Sequence, residues 1–498
     1  MYNGFYFFGG KTYMVLLLLF VLISLLLHSY VKNSRLRLLF GLISSSFIIA
    51  QGFSLFFTQG FIGYQYYVHF TLRGIFDVGA LFWIEVIIAT VSFVLLNVIF
   101  FYSYSFNKFL EKKNNNERGQ QFLQYSKIVL LLLASSIILF QGNFLRDSKT
   151  LAQLFLPKGA QKFDEVLEEN NMADYVRPSS IVAKKGKNIL IISMESLERG
   201  LLSKKYEHLT PNLNRLKKKW NAIDIYQNEG SSWTSGSLYT MMTGFPAFFG
   251  LDPNESFNDS YYSNISSLGH VFKLCGYQSS FIIGMADFSG TLDMVNSFKI
   301  DEVYDIRNTK RTGYESWFGL RDKDLFDIAK RELKKVHDES FAMIISTSDT
   351  HFPDGFYDDR MEGKVAKREN KLEFMISALD YQVGSLVTFL EENNLLKSTT
   401  VYILPDHLKM GDPSMFEGTG ERKLFVITNG EIDERTDKLY QIDLPKIILE
   451  GAKIEHNLIF LTDYINGDAQ KFINNHINEI TEINTHGLRN KNIPIHTK

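Results

Sequence analysis

Apolar residues crowd into the first third of the 498-residue chain, in four stretches that approach the length needed to cross a membrane. A bilayer core requires roughly 20 predominantly apolar residues. The stretches run over 13–30, 38–57, 78–101 and 128–141, and the last of them, IVLLLLASSIILFQ, is the shortest. A cleaved signal peptide is not predicted, because several spans follow the first and no small-residue cleavage site closes it. We therefore predict a transmembrane domain of about four helices over 1–145.

The charges between these stretches predict how the domain is oriented. Basic residues concentrate in the first and third connections, at Lys32, Arg35, Arg37, Lys108, Lys112, Lys113, Arg118 and Lys127. The middle connection, 58–77, has only Arg73. Cytoplasmic loops are enriched in Lys and Arg. With four spans, the first and third connections would be cytoplasmic, and everything after Arg146 would lie outside the cytoplasm.

One carboxylate falls within the third stretch. Glu85 stands in ALFWIEVIIA, and a charged group inside a membrane is a functional candidate by default because its burial is costly. A position near the membrane interface, or a pairing with another span, is the alternative. We favour this second interpretation.

From residue 188 onward the pattern changes to short apolar runs separated by amphipathic stretches. Five runs rich in branched and aromatic residues predict strands, at 188–194, 279–284, 341–347, 400–405 and 423–428. Continuous apolar runs suit strands buried on both faces, as in a parallel sheet. Apolar residues at three- and four-residue spacing over 370–392 predict a helix covering that sheet. Thr210-Pro211 predicts another helix start, with Thr as the cap.

The predicted architecture is a multi-span α-helical membrane domain followed by an α/β sandwich. We expect a linker over 146–187, a catalytic domain over 188–450 and a C-terminal extension of it over 451–498. The histidines of that extension are spaced too irregularly for a metal motif.

Overall composition changes this picture little. The formal net charge of −2 gives no support for a nucleic-acid partner, which would require a strongly basic face. The one cysteine, Cys275, cannot form an intramolecular disulfide, so cysteine usage does not indicate the compartment.

Acidic residues and histidines follow three of the predicted strands. They are Glu195 after NILIISM, Asp349 and His351 after FAMIISTS, and Asp406 and His407 after TVYILP. Taken singly, each is better explained as a solvated residue or a helix cap. Ligands of open α/β sheets bind beyond the carboxyl ends of the strands, and carboxylate with imidazole suits Zn or Mn. The coincidence at three strand ends therefore predicts a metal site.

A candidate nucleophile lies in GSSWTSGSLYTMMTG, residues 230–244. A helix is predicted to begin near Ser235, which puts Thr234 at its N-terminus, where backbone N–H groups and the helix dipole favour a phosphate. A threonine hydroxyl is a poor nucleophile unless a metal or a base activates it. A Ser/Thr-rich capping turn is the alternative, and without the other motifs it would be the better one.

Four motifs occur in order along the chain: MESLER (194–199), WTSGS (233–237), DTHFPDGF (349–356) and PDHLKM (405–410). Together they resemble the phosphoglycerol and phosphoethanolamine transferases of the alkaline phosphatase superfamily. Within it they are similar to the bacterial phosphoglycerol transferases that decorate periplasmic glucans, and more distantly to lipoteichoic acid synthases. The resemblance covers about 190–430 and implies an inner-membrane protein with an alkaline phosphatase-like catalytic domain on the periplasmic or extracellular side.

The resemblance also implies a metal site and a nucleophile. Carried over by position, the metal ligands are Glu195, Thr234, Asp406 and His407, with Thr234 as the nucleophile that becomes esterified. The implied cofactor is one divalent metal, Mn or Zn.

Substrate roles are implied in the same way. His351 would bind the transferred group or give a proton to the leaving alcohol, and Asp349 and Trp233 would join it in binding the substrate. The donor would be a phospholipid, phosphatidylglycerol or phosphatidylethanolamine, and the acceptor a hydroxyl of an external glycan or lipid.

The chain lacks residues that two groups of related enzymes use. Segment 284–295, GMADFSGTLDMV, lacks the tryptophan and arginine with which lipoteichoic acid synthases hold glycerol phosphate. No Cys/Ser-x-Pro-x-Arg sequence, which a formylglycine sulfatase requires, lies near Thr234. Sulfate-ester chemistry is therefore not expected.

The sequence favours metal-dependent transfer of phosphoglycerol from phosphatidylglycerol to a glycan hydroxyl through a phospho-threonine. Phosphoethanolamine transfer stays open, as does an extracytoplasmic phosphodiesterase or phosphatase in which water is the acceptor. A catalytically inactive sensor or scaffold is disfavoured, because it would need none of the four metal-site residues that are present.

Overall fold

The computed structural model divides the chain into two compact units, Met1–Ala152 and Gln153–Lys498. The described residues are 9–58, 61–63, 66, 82–113, 117–141, 162–249, 256–307, 309, 315–316, 319–336, 339–352, 354–432 and 438–490. Most of the predicted connection 58–77, the start of the third predicted span and the first part of the predicted linker lie outside them.

The first unit consists of long apolar helices. They are α1 (Gly9–His28), α2 (Ser34–Thr58), α3 (Trp83–Lys113) and α4 (Glu117–Gln141). Among the described residues, three helical segments are long and apolar enough to cross a membrane: Ser34–Phe56, Trp83–Lys112 and Gly119–Ile138. The described apolar part of α1, Met14–His28, is shorter. The count of about four spans therefore stays a prediction. Glu85 lies in the first turn of α3, near a helix end.

The second unit contains thirteen strands within the described residues. They are β1 (Ala183–Lys184), β2 (Asn188–Met194), β3 (Asn221–Ile225), β4 (Ser260–Ser263), β5 (Gln278–Ile283), β6 (Glu302–Tyr304), β7 (Glu315–Ser316), β8 (Gly319–Leu320), β9 (Phe341–Ser346), β10 (Thr399–Pro405), β11 (Leu424–Thr428), β12 (Glu455–His456) and β13 (Leu488–Asn490).

Its α-helices, apart from α11, are shorter than those of the first unit. They are α5 (Phe163–Glu169), α6 (Pro211–Lys219), α7 (Thr234–Thr243), α8 (Leu268–Leu274), α9 (Thr291–Ser297), α10 (Asp322–Lys335), α11 (Lys371–Glu392), α12 (Leu444–Gly451), α13 (Ala469–Asn475) and α14 (Ile477–Gly487). The predicted helix over 370–392 is α11, which packs against α6 and α10. Helices and sheet together confirm the predicted fold class.

Seven strands form the central sheet, in the order β3-β11-β10-β2-β9-β5-β6. All five predicted strands belong to it. The five strands from β10 to β6 are parallel, but β11 is antiparallel both to β10 and to β3. The expectation of a parallel sheet is therefore wrong for β11, since an apolar run carries no information about strand direction.

The strands that precede the candidate ligands are neighbours at the centre of the sheet. β2 lies between β10 and β9, and its Met194 is in register with Pro405. Apart from Asn188, every residue of β2, β9 and β10 is buried. Three parallel strands that end side by side bring the residues that follow them to one edge of the sheet.

The predicted start of α6 is correct, but Thr210 is not its side-chain cap. The Thr210 hydroxyl donates to the carbonyl oxygen of Leu201 at 2.8 Å. The orphan N–H groups of the first turn, those of Asn212 and Leu213, donate instead to the carboxylate of Asp380 on α11, at 3.0 and 2.8 Å. A cap supplied by a distant helix cannot be inferred from local sequence.

Candidate metal centre and nucleophile

Three buried ligands meet where β2 and β10 end. Glu195 directly follows β2, and Asp406 and His407 directly follow β10. One ligand atom of each lies within 4.8 Å of the others, and all three residues are buried. His407 Nε2 is 3.5 Å from Glu195 Oε1 and 3.5 Å from Asp406 Oδ2.

Backbone contacts hold two of the ligands, His407 and Asp406, in one orientation. His407 Nδ1 lies 2.9 Å from the carbonyl oxygen of Leu408, and because a carbonyl only accepts, Nδ1 carries a proton and Nε2 is the ring nitrogen that faces the carboxylates. Asp406 Oδ1 accepts from the N–H groups of Ser196 and His407, at 2.8 and 2.6 Å. Ser196 has a φ of 53°, and this left-handed turn directs its N–H towards Asp406.

The donor set fits a divalent metal. Asp406 Oδ2 is buried and accepts no hydrogen bond from any described residue, although a buried carboxylate oxygen without a partner is costly. Two carboxylates and one imidazole are ligands that Zn and Mn accept. These residues could therefore hold either ion, with Thr234 as a fourth ligand.

Burial and mutual repulsion shift the pKa values within this cluster. Burial raises the pKa of Asp406 to about 8, and the charge of Glu195 adds to the rise. Burial also acts to raise the pKa of Glu195, but His407, His351 and two hydrogen bonds outweigh it and lower that pKa. The pKa of His407 is raised, because the two carboxylates outweigh its burial. A divalent cation would relieve the repulsion between the two buried acids.

Thr234 lies against this cluster at the start of α7. Its hydroxyl donates to Glu195 Oε2 at 3.1 Å, and the N-terminus of α7 directs backbone N–H groups to the same place. Trp233 is the N-cap residue and is 2% exposed. A Cβ on Gly236 would come within 2.6 Å of the Trp233 ring, so glycine allows the indole to pack on the first turn. The role of Trp233 in substrate binding stays a prediction.

His351 stands beside the cluster on the loop after β9. Its Nδ1 donates to the carbonyl oxygen of Phe352 at 2.7 Å. Burial lowers the pKa of His351, while the charge of Glu195 acts in the opposite direction. His351 is therefore mainly neutral near pH 7. It is close enough to Glu195 for the charge of each residue to affect the pKa of the other.

Asp349 does not join the three ligands. Its Oδ1 forms an ion pair with Nε of Arg321 at 2.8 Å, and its Oδ2 accepts from the N–H of Asp322 at 3.0 Å. Both oxygens are thus engaged with the start of α10. Direct substrate binding by Asp349 stays a prediction, and its contacts are those of a residue that fixes the loop.

Sequence reasoning missed several residues that support the site. Gln441 donates from Nε2 to the carbonyl oxygens of Asp406 and Ser231, at 2.6 and 3.1 Å. Asn484, in the C-terminal 451–498 segment, accepts from the hydroxyl of Tyr239 on α7 at 2.8 Å. Both lie far along the chain from the motifs, and no local pattern marks them.

The family of the chain is established by a match of its second unit. The profile described as sulfatase matches residues 187–453, which is more than half of the chain, and the chain belongs to this family. Among curated proteins it is similar to phosphoglycerol transferase I of Escherichia coli K12, with 25% identity over 276 residues. That alignment covers 52% of this chain and 36% of the relative, so the match spans about a third of the relative's length.

Solved structures are also similar. A protein of the alkaline phosphatase superfamily from Vibrio parahaemolyticus is 19% identical, with a TM-score of 0.47, over 64% of this chain and 81% of the other. The lipoteichoic acid synthase LtaP of Listeria monocytogenes is 14% identical, with a TM-score of 0.48, over 67% of this chain and all (100%) of the other.

Proposed function

We propose that the second unit transfers phosphoglycerol from phosphatidylglycerol to a hydroxyl of an extracytoplasmic glycan. The observation that carries this proposal is the hydroxyl of Thr234, which donates to Glu195 at 3.1 Å at a helix N-terminus beside the Glu195/Asp406/His407 cluster. The four motifs and the similarity to a protein named phosphoglycerol transferase I support the substrate class. The family's name does not imply sulfate as substrate, since the formylglycine sequence is missing near Thr234.

The first half-reaction loads Thr234. Its Oγ1 attacks the phosphorus of the donor, a bond from Oγ1 to phosphorus forms, and the bond from phosphorus to the diacylglycerol oxygen breaks. The hydroxyl proton passes to Glu195 Oε2, which already accepts it in a hydrogen bond. The protonated fraction of His351, which is the minor form near pH 7, gives its proton to the diacylglycerol oxygen. A phosphoglyceryl-threonine remains.

The second half-reaction reverses these roles. Neutral His351 takes the proton of the acceptor hydroxyl, whose oxygen attacks the phosphorus. The bond to Thr234 Oγ1 breaks, and Glu195 returns the proton to that oxygen. Burial suits His351 to this step because it lowers the histidine pKa and keeps a neutral base available near pH 7.

Glu195, Thr234, Asp406 and His407 would hold one Mn or Zn ion. When bound, this ion supplies the positive charge that lowers the pKa of a coordinated hydroxyl and neutralises the phosphoryl oxygens. Asp406 keeps its place through the backbone N–H groups of Ser196 and His407.

The apolar helices of the first unit favour a donor that is itself a membrane lipid. Anchoring a catalytic unit to the bilayer that contains its donor raises the effective concentration of that donor. The orientation we propose, with the second unit outside the cytoplasm, follows from the positive charges of the first and third connections.

The test follows label from phosphatidylglycerol with a radioactive glycerol headgroup, in membranes with Mn²⁺ and a glycan acceptor. We expect label in the glycan fraction with the wild type and with Thr234→Ser, which keeps a hydroxyl, and none with Thr234→Ala. Substantial transfer by Thr234→Ala would contradict the proposed nucleophile. Transfer from phosphatidylethanolamine instead would favour a phosphoethanolamine transferase. Release of soluble glycerol phosphate only would favour a phosphodiesterase or phosphatase.

A further inference from the structure

A cavity of about 500 Å³ opens at the outer strand of the central sheet. Its lining includes Arg199, Lys217, Asp224, Tyr226, Phe425 and Lys438. Volumes between about 300 and 1,000 Å³ are typical of small-molecule sites. Glu195, Asp406 and His407 are not among the residues that line it, so this cavity is not accounted for by the proposed chemistry.

The cavity extends along β3, and its end at Tyr226 lies at the same edge of the sheet as the metal cluster. β3 runs parallel to β10, because β11 between them is antiparallel to both. Tyr226 follows β3 as Asp406 follows β10, and two strand spacings amount to roughly 10 Å. Next to Tyr226, Gln227 Oε1 accepts from the N–H of Leu408 at 2.7 Å, which joins the wall of the cavity to the residue after His407.

Among the described residues that line the cavity, three are cations and one, Asp224, is an acid. Asp224 pairs with Arg199 at 2.9 Å and with Lys423 at 3.7 Å. Lys217 and Lys438 form no hydrogen bond and no ion pair with any other residue in the described part of the chain. Burial, and then the charge of Arg199, lower the pKa of Lys217, and the charge of Asp224 opposes this only in part.

The remaining walls are apolar. Phe425 is 2% exposed and Leu202 is 5% exposed, and both line the cavity. A ligand that pairs with the cations on one side and packs on the apolar wall on the other must have an anionic group and an apolar C–H surface. A phosphorylated sugar has this chemistry.

We propose that this cavity is a second binding site, which holds a phosphate group carried by the glycan acceptor. The inference rests on the proposed function, since a glycan that has received one phosphoglycerol group presents an anion near its remaining hydroxyls. Arg199, Lys217 and Lys438 bind the phosphate, while the sugar packs on the apolar wall. A free hydroxyl of the same glycan then lies towards Thr234.

The test measures binding without turnover, in the full-length chain in detergent with Thr234→Ala and with a chelator present. The probes are glucose 6-phosphate and uncharged glucose, titrated calorimetrically at low ionic strength. The test variant adds Lys217→Ala and Lys438→Ala. The matched control adds Lys218→Ala and Lys219→Ala. These also remove two charges, from side chains that lie beside Lys217 on α6 but pair with Glu207 and Glu391.

We expect glucose 6-phosphate to bind, glucose not to bind, and the test variant to lose at least about tenfold in affinity while the control changes less than about twofold. Equal losses in both variants, or no binding of glucose 6-phosphate, would overturn the proposal. Binding of glucose as tight as that of glucose 6-phosphate would show that the site does not recognise the phosphate group. Preferential binding of phosphatidylglycerol vesicles through Lys217 and Lys438 would overturn the glycan as the source of the phosphate. Because Thr234→Ala cannot turn over, none of these outcomes tests the transfer reaction, which the labelling experiment tests separately.

Discussion

Arg321 and Asp349 form a buried ion pair, with 2.8 Å between Nε and Oδ1. The same arginine donates to the carbonyl oxygen of Phe356, and the N–H of Phe356 donates back to the carbonyl oxygen of Asp349 at 2.7 Å. The ring of Phe356 is nearly parallel to that of His351, with centroids 6.3 Å apart. The pair thus fixes the loop that carries His351 against the start of α10.

Replacing Arg321 with Lys should lower the turnover rate without removing the metal. Lysine keeps the charge but lacks the planar fork that engages Asp349 and Phe356 together, so His351 loses its fixed position. Misplacement of a catalytic group by about 1 Å costs up to about 100-fold in rate, and we expect a 10- to 100-fold fall in kcat.

The measurement compares kcat and metal content with those of Arg331→Lys. Arg331 lies on α10, and its exposed side chain pairs with Glu332, so its replacement should change kcat less than twofold. A normal kcat in Arg321→Lys would show that His351 does not depend on this pair.

A second carboxylate at the start of α10 makes the stability of the second unit depend on pH. Burial raises the pKa of Asp322 to about 6, above its ordinary value of 3.8. A raised folded-state pKa means that the stabilisation is complete below about pH 4 and is lost as the pH rises through about 6. Asp322→Asn keeps a neutral side chain at every pH, so its stability relative to the wild type should rise between pH 5 and pH 8 and should exceed the wild type by up to about 3 kcal/mol at pH 8.

Thermal unfolding of the full-length chain at the two pH values checks this. The control is Asp327→Asn, on the same helix, where the aspartate is exposed and pairs with Lys323. The two variants should differ in how their stability relative to wild type changes between pH 5 and pH 8. Parallel behaviour of both would show that Asp322 titrates as an ordinary surface acid.

How much of the fold could be predicted depends on whether the responsible residues are close together in the sequence. The strand at 188–194 was predicted to the residue, because a run buried on both faces has no polar interruptions. β3 was missed, because NAIDI is exposed at most positions and has no apolar run, as is usual at a sheet edge. The local sequence pattern also does not predict the strand order or the direction of β11, because both are determined by tertiary packing.

The candidate site shows the same division. Glu195, Asp406 and His407 were selected because each follows a recognisable strand, and the structure places them within reach of one ion. Arg321 and Asn484 act through partners 28 and more than 200 residues away, so no spacing rule identifies them. Their positions are set by tertiary contacts alone.

Metal binding should stabilise the wild type and not the variant Asp406→Asn. The asparagine removes one of two buried carboxylates, so the metal-free variant should have a higher Tm than the metal-free wild type. Adding Mn²⁺ or Zn²⁺ at 1,000 times its Kd would stabilise the wild type by about 4 kcal/mol, and the variant should respond far less. Asp412→Asn, in the same loop but exposed, serves as control and should respond like the wild type. An equal Tm shift in Asp406→Asn would remove Asp406 from the ligand set.

The buried pair of Glu198 and Arg422 should matter more for stability than any exposed pair. Glu198 accepts from Nε and Nη2 of Arg422, at 2.8 and 2.6 Å, and from the N–H of Lys409 at 3.2 Å. It thereby ties the loop after Glu195 to the loop after His407. Glu198→Gln leaves a buried guanidinium without its counter-charge, which costs about 3–5 kcal/mol, and we expect a Tm lower by several degrees together with weaker metal binding.

The comparison is with Glu455→Gln, which breaks an ion pair with Lys184 in which both side chains are 73% exposed. Exposed pairs contribute roughly 0–1 kcal/mol, so Tm and metal affinity should both stay close to wild type. If Glu198→Gln also left the metal affinity unchanged while lowering Tm, the pair would stabilise the fold without positioning the ligands. Because Glu198 contacts both ligand-bearing loops, we expect both Tm and metal affinity to fall. Thermal unfolding and metal titration on the same samples measure the two quantities.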